Sequence, residues 1–447
     1  MINIRNHYML QRDKNKKKSI GLMICTALVI GNMIGSGIFL LPASLAEYGG
    51  VSIVGWLASA FGAIMTALVF VRLSRKFPKQ GGPYRYAYDN FGSLAGYSVA
   101  WSYWISIWCG NAAIAVAAVS YLGVFFPSLS SQPIYAVTAA FILIWSLTIL
   151  NIRGVREAGL FQLMATILKL IPLLLIGLAA FFVFEPQEFK PFNLTNQPLH
   201  TSIAATAALT LWAFLGMESA TIPADNVKNP NITIPRATII GVLVTAAIYI
   251  SSQLAVMSVV PNAQLQTSGA PFADAARMIW GNWAGDIVAV GAIISCIGAL
   301  NGWILLQGQV PMTAARDKLF PQILADKNNE GVSKAALIIS SFIVTLLVAT
   351  NYHDGMVKFF TFAIMVSTLG IFVPYILSIA AELKSIKKNW SIKKQILNLT
   401  TTILALAYCI WAISGIGTKP LIWGVVLILS GLPIYYVMSK KNQVINA

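Results

Sequence analysis

The chain has 447 residues, of which 57% are hydrophobic and only 10% are charged. A soluble domain carries about 25% charged residues, so this composition excludes a protein with a fully water-exposed surface. The net charge of +16 does not by itself indicate a nucleic-acid partner, because the basic residues follow the alternation of apolar segments described next.

Apolar segments of about 20 residues, the length that crosses a bilayer, recur along the whole chain. They predict about twelve membrane-spanning helices, at 20–46, 51–71, 93–126, 132–151, 159–184, 201–224, 237–260, 283–312, 335–350, 359–381, 396–415 and 420–438. Lys and Arg lie almost entirely on alternate loops, and the opposite loops hold only Lys190, Arg277, Lys358 and Lys419. By the positive-inside rule we expect a multi-pass inner-membrane protein with both termini cytoplasmic and no nucleic-acid partner.

The first predicted span contains a run of small residues, with Ser36 between Gly35 and Gly37, at mid-membrane depth. Glycine weakens a helix by about 1 kcal/mol relative to alanine, so the helix could unwind there. Unwound backbone is tolerated in a bilayer only where it lines a cavity or is buried in protein. Close packing between helices would explain the same glycines.

The sixth predicted span has a second interruption, LWAFLGMESA at 211–220, where Gly216 lies beside Glu218. Interruptions in corresponding helices of two halves are typical of transporters with inverted repeats and a binding site at the membrane midplane. Free N–H groups at such a break would bind a carboxylate, and free C=O groups would bind an ammonium. The pattern therefore predicts transport of a small amino compound.

Five motifs resemble the amino acid–polyamine–organocation superfamily over nearly the whole chain. They are GNMIGSGIFLLP (31–42), GGPYRYAYDNFG (81–92), TLWAFLGMESA (210–220), DNVKNPNITIPRA (225–237) and the pair Gly302-Trp303. Within the superfamily the chain looks most similar to the basic amino acid/polyamine antiporters, such as the arginine–agmatine and putrescine–ornithine exchangers.

The resemblance implies an all-α membrane protein with a LeuT-type fold, in which two five-helix repeats are inverted and helices 1 and 6 are discontinuous. On this basis the chain is divided into a cytoplasmic N-terminal segment (1–19), the first repeat (20–184), the second repeat (200–382), two peripheral helices (394–438) and a cytoplasmic tail (439–447). A homodimer is a possible assembly.

The resemblance also implies which side chains form the site. Substrate would be bound by Asn32, Met33, Gly35, Ser36, Gly37, Ser106, Ile107, Asn111, Trp212, Leu215, Trp303 and Met365. The region of Ser36 would hold the carboxylate, and Asn111 would meet the distal part of the substrate. Tyr84, Tyr103, Trp212 and Trp303 would act as gates. Ordinary packing or interfacial roles for the aromatic residues, and a helix–helix hydrogen bond for Asn111, remain alternatives.

Two charged residues inside spans are candidates for proton or cation coupling. A charge at the depth of Glu218 costs about 3 kcal/mol, and intramembrane carboxylates are usually functional. Lys169, in ATILKLIP of the fifth span, has no counterpart in the basic exchangers. It resembles a lysine of broader amino-acid permeases whose amine stands in for sodium. Snorkelling of Lys169 and a direct pair between Lys169 and Glu218 are the alternatives.

The function that these observations favour is that of a sodium-independent antiporter or permease for cationic amino acids and their amines. Ser106, Ile107, Leu215 and Met365 make the expected pocket more apolar and weaken the case for arginine, so a proton-coupled permease for neutral amino acids is the alternative. A membrane enzyme is disfavoured, because the spans show no cluster of nucleophile, base or metal ligands. We expect no cofactor and no metal site, and we interpret the four cysteines as packing residues.

Overall fold

The computed structural model describes residues 21–446, apart from Ser36 and the segments 78–81, 154–169, 218–226, 327–331, 352–354 and 387–390. The described chain is built from helices. In chain order they are α1 Leu22–Met33, α2 Gly37–Ala46, α3 Val51–Lys76, α4 Gly82–Phe91, α5 Ser93–Leu122, α6 Ser128–Ser131, α7 Pro133–Arg153, α8 Leu170–Val183, α9 Leu199–Leu211, α10 Pro230–Val259, α11 Asn262–Leu265, α12 Pro271–Trp280, α13 Asn282–Arg316, α14 Lys334–Asn351, α15 Met356–Lys384, α16 Ile392–Ile413, α17 Thr418–Leu429 and α18 Gly431–Asn446.

Nine apolar segments long enough to cross a bilayer and three shorter apolar helices, all within the described residues, match the twelve predicted positions. Eight are long enough to cross a bilayer as they stand, with α17 and the start of α18 counted as one: α3, α5, α7, α10, α13, α15, α16 and α17–α18. The pair α1 and α2 forms a ninth span, bent by 47°. The shorter apolar helices α8, α9 and α14 occupy the three remaining positions. The predicted fold class, an all-α membrane protein with about twelve spans, is confirmed.

The first and sixth spans both lose their helical conformation at the predicted glycines. Helix α1 ends at Met33 because Ile34 takes extended backbone, with φ −72° and ψ 95°. Helix α9 continues into one 3-10 turn, Trp212–Phe214, after which Leu215 is extended. Gly216 follows with φ +98°, a conformation that glycine adopts readily and other residues rarely do. The discontinuity is therefore present in both spans, although segment 218–226 lies outside the described residues.

Several helices extend beyond the predicted apolar cores. Helix α10 begins at Pro230, before the apolar run, because Pro at the first helical position has no N–H to leave unpaired. The loops after the second and seventh spans contain the amphipathic helices α4 and α12, which were not predicted. The division into repeats at 20–184 and 200–382 stays a prediction.

The third span lies at the centre of the helix bundle. Helix α5 is the most enclosed of the long spans, and it packs most extensively against α15 and α13. The α17–α18 span is the most exposed. This arrangement places the breaks of the first and sixth spans beside α5, α13 and α15, where they form a cavity.

Candidate functional site

The two helix breaks lie directly against each other. A Cβ added to Gly216 would lie 3.0 Å from the backbone oxygen of Asn32. A Cβ added to Gly37 would lie 2.5 Å from Cζ3 of Trp212, so the indole ring rests on the first turn of α2. Real Cβ atoms do not approach other atoms so closely as 2.5 Å. Glycine at position 37 therefore leaves room for the indole ring, and glycine at position 216 suits both the close approach to Asn32 and the φ of +98°.

A cavity with about 430 Å³ of space not filled by protein atoms opens beside these breaks. Its lining consists of Asn32, Met33, Gly35, Gly37, Ser106, Ile107, Gly110, Ile114, Trp212, Ala213, Leu215, Ala299, Trp303 and Ser367. The lining thus combines both helix breaks with residues of α5, α13 and α15.

The structure brings most of the predicted binding residues together. Those that line the cavity are Asn32, Met33, Gly35, Gly37, Ser106, Ile107, Trp212, Leu215 and Trp303. Asn111 and Met365 are buried, and each lies within two residues of a lining residue in the sequence, but neither is part of the lining. Ser36, Lys169 and Glu218 lie outside the described residues. The binding and coupling roles of all these residues stay predictions.

Tyr249 of α10 links the two breaks and was not anticipated from the sequence. Its hydroxyl lies 2.8 Å from the carbonyl oxygen of Met33 and 3.2 Å from that of Ala213. These carbonyls belong to the ends of the two interrupted helices, where intrahelical partners are missing. A fully buried tyrosine usually finds a hydrogen-bond partner, but the sequence does not say which one.

Ser367 of α15 holds the indole of Trp212 and was also missed. Trp212 Nε1 donates to Ser367 Oγ at 3.2 Å, and Ser367 Oγ donates to the backbone oxygen of Ser106 at 2.8 Å. Because the Ser367 proton is used, the Ser106 hydroxyl, 3.1 Å away, must donate to Ser367. The edge-on contact of Trp212 with Phe360, with centroids 5.7 Å apart, holds the ring from another side.

The described lining of the cavity contains no Asp, Glu, Lys, Arg or His. Its polar groups are Asn32, Ser106, Ser367, the two indoles and the backbone at the breaks. Within the ranges that the structure describes, no group of three or more His, Cys, Asp or Glu could hold a metal ion. A charge at this site would have to come from the helix ends or from a residue outside those ranges.

Two of the predicted gating residues, Tyr84 and Tyr103, are not part of the cavity lining. Tyr84 of α4 donates its hydroxyl to Asp317 Oδ2 at 2.6 Å. Burial, and then the bond to Asp317, raise the pKa of the Tyr84 hydroxyl far above its ordinary value, so it remains a donor. Tyr103 is half-buried on α5 and packs against the core. Their gating roles stay predictions.

Comparison with known proteins places the chain among membrane carriers. The family model described as amino acid permease matches residues 20–439. The cadaverine/lysine antiporter of Escherichia coli (strain K12) is 36% identical over 331 residues, which cover 74% of each chain. The arginine/ornithine antiporter of Pseudomonas aeruginosa is 30% identical over 97% of this chain and 93% of its own. The putrescine transporter PotE of Haemophilus influenzae is 31% identical over 95% of this chain and 98% of its own.

Proposed function

Because this chain belongs to the amino acid permease family, we propose that it is a membrane antiporter that exchanges a cationic amino acid for an amine. The observation that carries the proposal is the cavity formed where the ends of two interrupted helices meet. The cadaverine/lysine, arginine/ornithine and putrescine carriers to which the chain is similar support the substrate class.

The two ends of an α-amino acid would be recognised by opposite helix ends. The carboxylate would lie at the start of α2, near Ser36 and Gly37, where backbone N–H groups lack helical partners. The ammonium would lie near the carbonyl ends of α1 and of the 3-10 turn after α9. Tyr249 does not exhaust these acceptors, because each carbonyl oxygen has two lone pairs.

The distal cation of the substrate would stack on indole faces and be balanced by Glu218. A cation over an indole gains about 0.5–2 kcal/mol, and both Trp212 and Trp303 line the cavity. Lys169 would provide the fixed cation that makes transport independent of sodium. Both termini would be cytoplasmic, spans 1–5 and 6–10 would form the inverted repeats, and Tyr84 would close the cytoplasmic side through Asp317.

A permease for neutral amino acids is the second candidate. It is favoured by the uncharged described lining, in which Ile107 and Leu215 lie beside the helix breaks. In that case Lys169 would satisfy Glu218 permanently, and no charge would be available to a cationic side chain.

Counterflow in proteoliposomes separates the two candidates. Labelled arginine, lysine, ornithine, putrescine and cadaverine would compete against leucine and alanine, without sodium, in wild type and Glu218→Gln. We expect the cationic compounds to compete best in the wild type and to lose their advantage, with its pH dependence, in Glu218→Gln. Preference for leucine with an unchanged pH profile in the variant would establish the neutral permease instead.

A further inference from the structure

Four buried polar side chains form a hydrogen-bonded line behind the cavity, which we call the amide relay. It consists of Asn111 on α5, Gln307 on α13, Ser341 on α14 and Thr148 on α7. Asn111 Nδ2 lies 2.7 Å from Gln307 Oε1, Gln307 Nε2 lies 2.8 Å from Ser341 Oγ, and Ser341 Oγ lies 2.7 Å from Thr148 Oγ1. All four residues are at most 1% exposed.

The direction of the relay follows from counting protons. The Thr148 hydroxyl donates its only proton to the backbone oxygen of Ile144, at 2.7 Å. Thr148 must therefore accept from Ser341, and Ser341 must accept from Gln307. The amide N–H₂ of Gln307 consequently faces Ser341, which leaves its oxygen facing Asn111. Because the Gln307 oxygen can only accept, Asn111 must donate its N–H to it. The orientation of both amides is therefore fixed by which groups have a proton to donate.

The remaining polar atom of Asn111 is an acceptor beside the cavity. Oδ1 is buried and has no hydrogen-bond partner among the described residues. Asn111 follows the lining residue Gly110, and it lies four residues after Ile107 and three before Ile114, both of which also line the cavity. Residues three and four apart share a helix face, so Asn111 lies on the cavity side of α5. A buried acceptor without a partner is costly, and a donor from a ligand would relieve that cost.

We propose that Gln307 is a positioning residue for substrate selection, which holds Asn111 so that Oδ1 accepts an N–H from the distal group of the substrate. This inference rests on the proposed transport of cationic amino compounds. A free asparagine amide can rotate to present either its donor or its acceptor. The relay removes that choice, and it thereby favours a distal ammonium or guanidinium over an apolar end.

The test compares lysine with norleucine, which has the same chain without the distal amine. The ratio of lysine to norleucine transport is measured in one proteoliposome preparation per variant, so the amount of folded protein cancels. Gln307→Leu removes the acceptor that orients Asn111, and we expect the ratio to fall about tenfold. Gln307→Glu in its neutral form offers one acceptor and one donor, and should retain the ratio.

Two adjacent serines of α14 give a matched pair. Ser341→Ala interrupts the relay and should lower the ratio in the same direction as Gln307→Leu. Ser340 is equally buried, but it bonds the backbone oxygen of Gln307 and accepts from Trp104 Nε1. Ser340→Ala should therefore leave the ratio at the wild-type value.

The double variant separates positioning from packing. If Gln307 acts through Asn111, adding Gln307→Leu to Asn111→Leu should not lower the ratio further, since effects of coupled residues do not add. A wild-type ratio in Gln307→Leu, or equal effects of Ser340→Ala and Ser341→Ala, would overturn the relay while leaving the transport function intact. Absence of transport of every amino compound by the wild type would instead overturn the proposed function, and the relay's role with it.

Discussion

Two regions of the molecule treat charge in opposite ways. At the ends of α3 and α15, the Glu382 carboxylate forms ion pairs with Arg72 Nε at 3.0 Å and with Lys76 Nζ at 2.9 Å. The described lining of the cavity, in contrast, has no ionisable side chain. We call Arg72, Lys76 and Glu382 the ion cluster. Its carboxylate is fully buried, and each of its two oxygens has a cationic partner. The cavity lining instead contains the backbone at two helix ends, and the unpartnered amide oxygen of Asn111 follows the lining residue Gly110 in sequence.

In the ion cluster the charged groups satisfy one another, whereas polar groups at and beside the cavity are left for a ligand to satisfy. The ion cluster also reaches Thr402 of α16, through Arg72, so it joins three helices. Breaking it should affect stability and leave substrate preference unchanged. Changes at the cavity should act chiefly on uptake and substrate affinity.

The largest effect is expected from Glu382→Gln. Removing one partner of a buried ion pair costs about 3–5 kcal/mol, and we expect the lower end because the Arg72 and Lys76 side chains are 15% and 22% exposed. Thermal unfolding of purified protein in detergent should show a clear fall in Tm, with the ratio of lysine to norleucine transport unchanged. The exposed Glu188 provides the control, since Glu188→Gln should change stability by less than about 0.5 kcal/mol. Equal Tm values for the two variants would refute the structural role.

The next effect is at the cavity. In Gly37→Ala the new Cβ would lie 2.5 Å from the Trp212 ring, which must then move off α2. Such overpacking costs about 1–3 kcal/mol, so uptake should fall about tenfold to a hundredfold. Gly21, where an added Cβ meets nothing within 4 Å, supplies the matched variant Gly21→Ala. Wild-type uptake by Gly37→Ala would show that the contact of Trp212 with the break is dispensable.

The sequence predicted the features that depend on local patterns, namely the two helix breaks and the family. The paired glycine interruptions placed both breaks, and the family inferred from the motifs is confirmed. Glu382 was missed because the predicted tenth span stopped at residue 381, while α15 continues to Lys384. Ser367 and Tyr249 were missed for another reason. Their hydrogen bonds join helices far apart in sequence, and a hydroxyl in an apolar run does not reveal its partner.

A smaller effect should follow from Tyr249→Phe, which removes one hydroxyl and keeps the ring. The carbonyls of Met33 and Ala213 lose a shared donor, worth about 1 kcal/mol. We expect substrate affinity to weaken about fivefold, measured as half-saturating concentration in uptake, with little change in Tm. Tyr135→Phe, on an exposed face of α7, should change neither quantity. A fall in Tm without a change in affinity would show that Tyr249 stabilises the fold and does not contribute to substrate binding.

The smallest effect concerns Tyr84→Phe, at the contact between α4 and the residue after α13. The lost bond to Asp317 is partly exposed, so its contribution is no more than about 1 kcal/mol, and exchange rates should change about twofold to threefold.

The folded-state pKa of Tyr84 is raised by burial and by Asp317. The tyrosine proton therefore stays in place below the ordinary pKa near 10, and the stability that it contributes is lost as pH rises from there through the raised value. The ratio of wild-type to Tyr84→Phe exchange rates should not change through loss of this proton between about pH 6 and 9. Asp317→Asn keeps an acceptor for Tyr84 and should have the weaker effect of the two variants. If Tyr84→Phe instead altered the ratio of lysine to norleucine transport, the contact with Asp317 would take part in substrate selection. Substrate selection would then not be confined to the cavity.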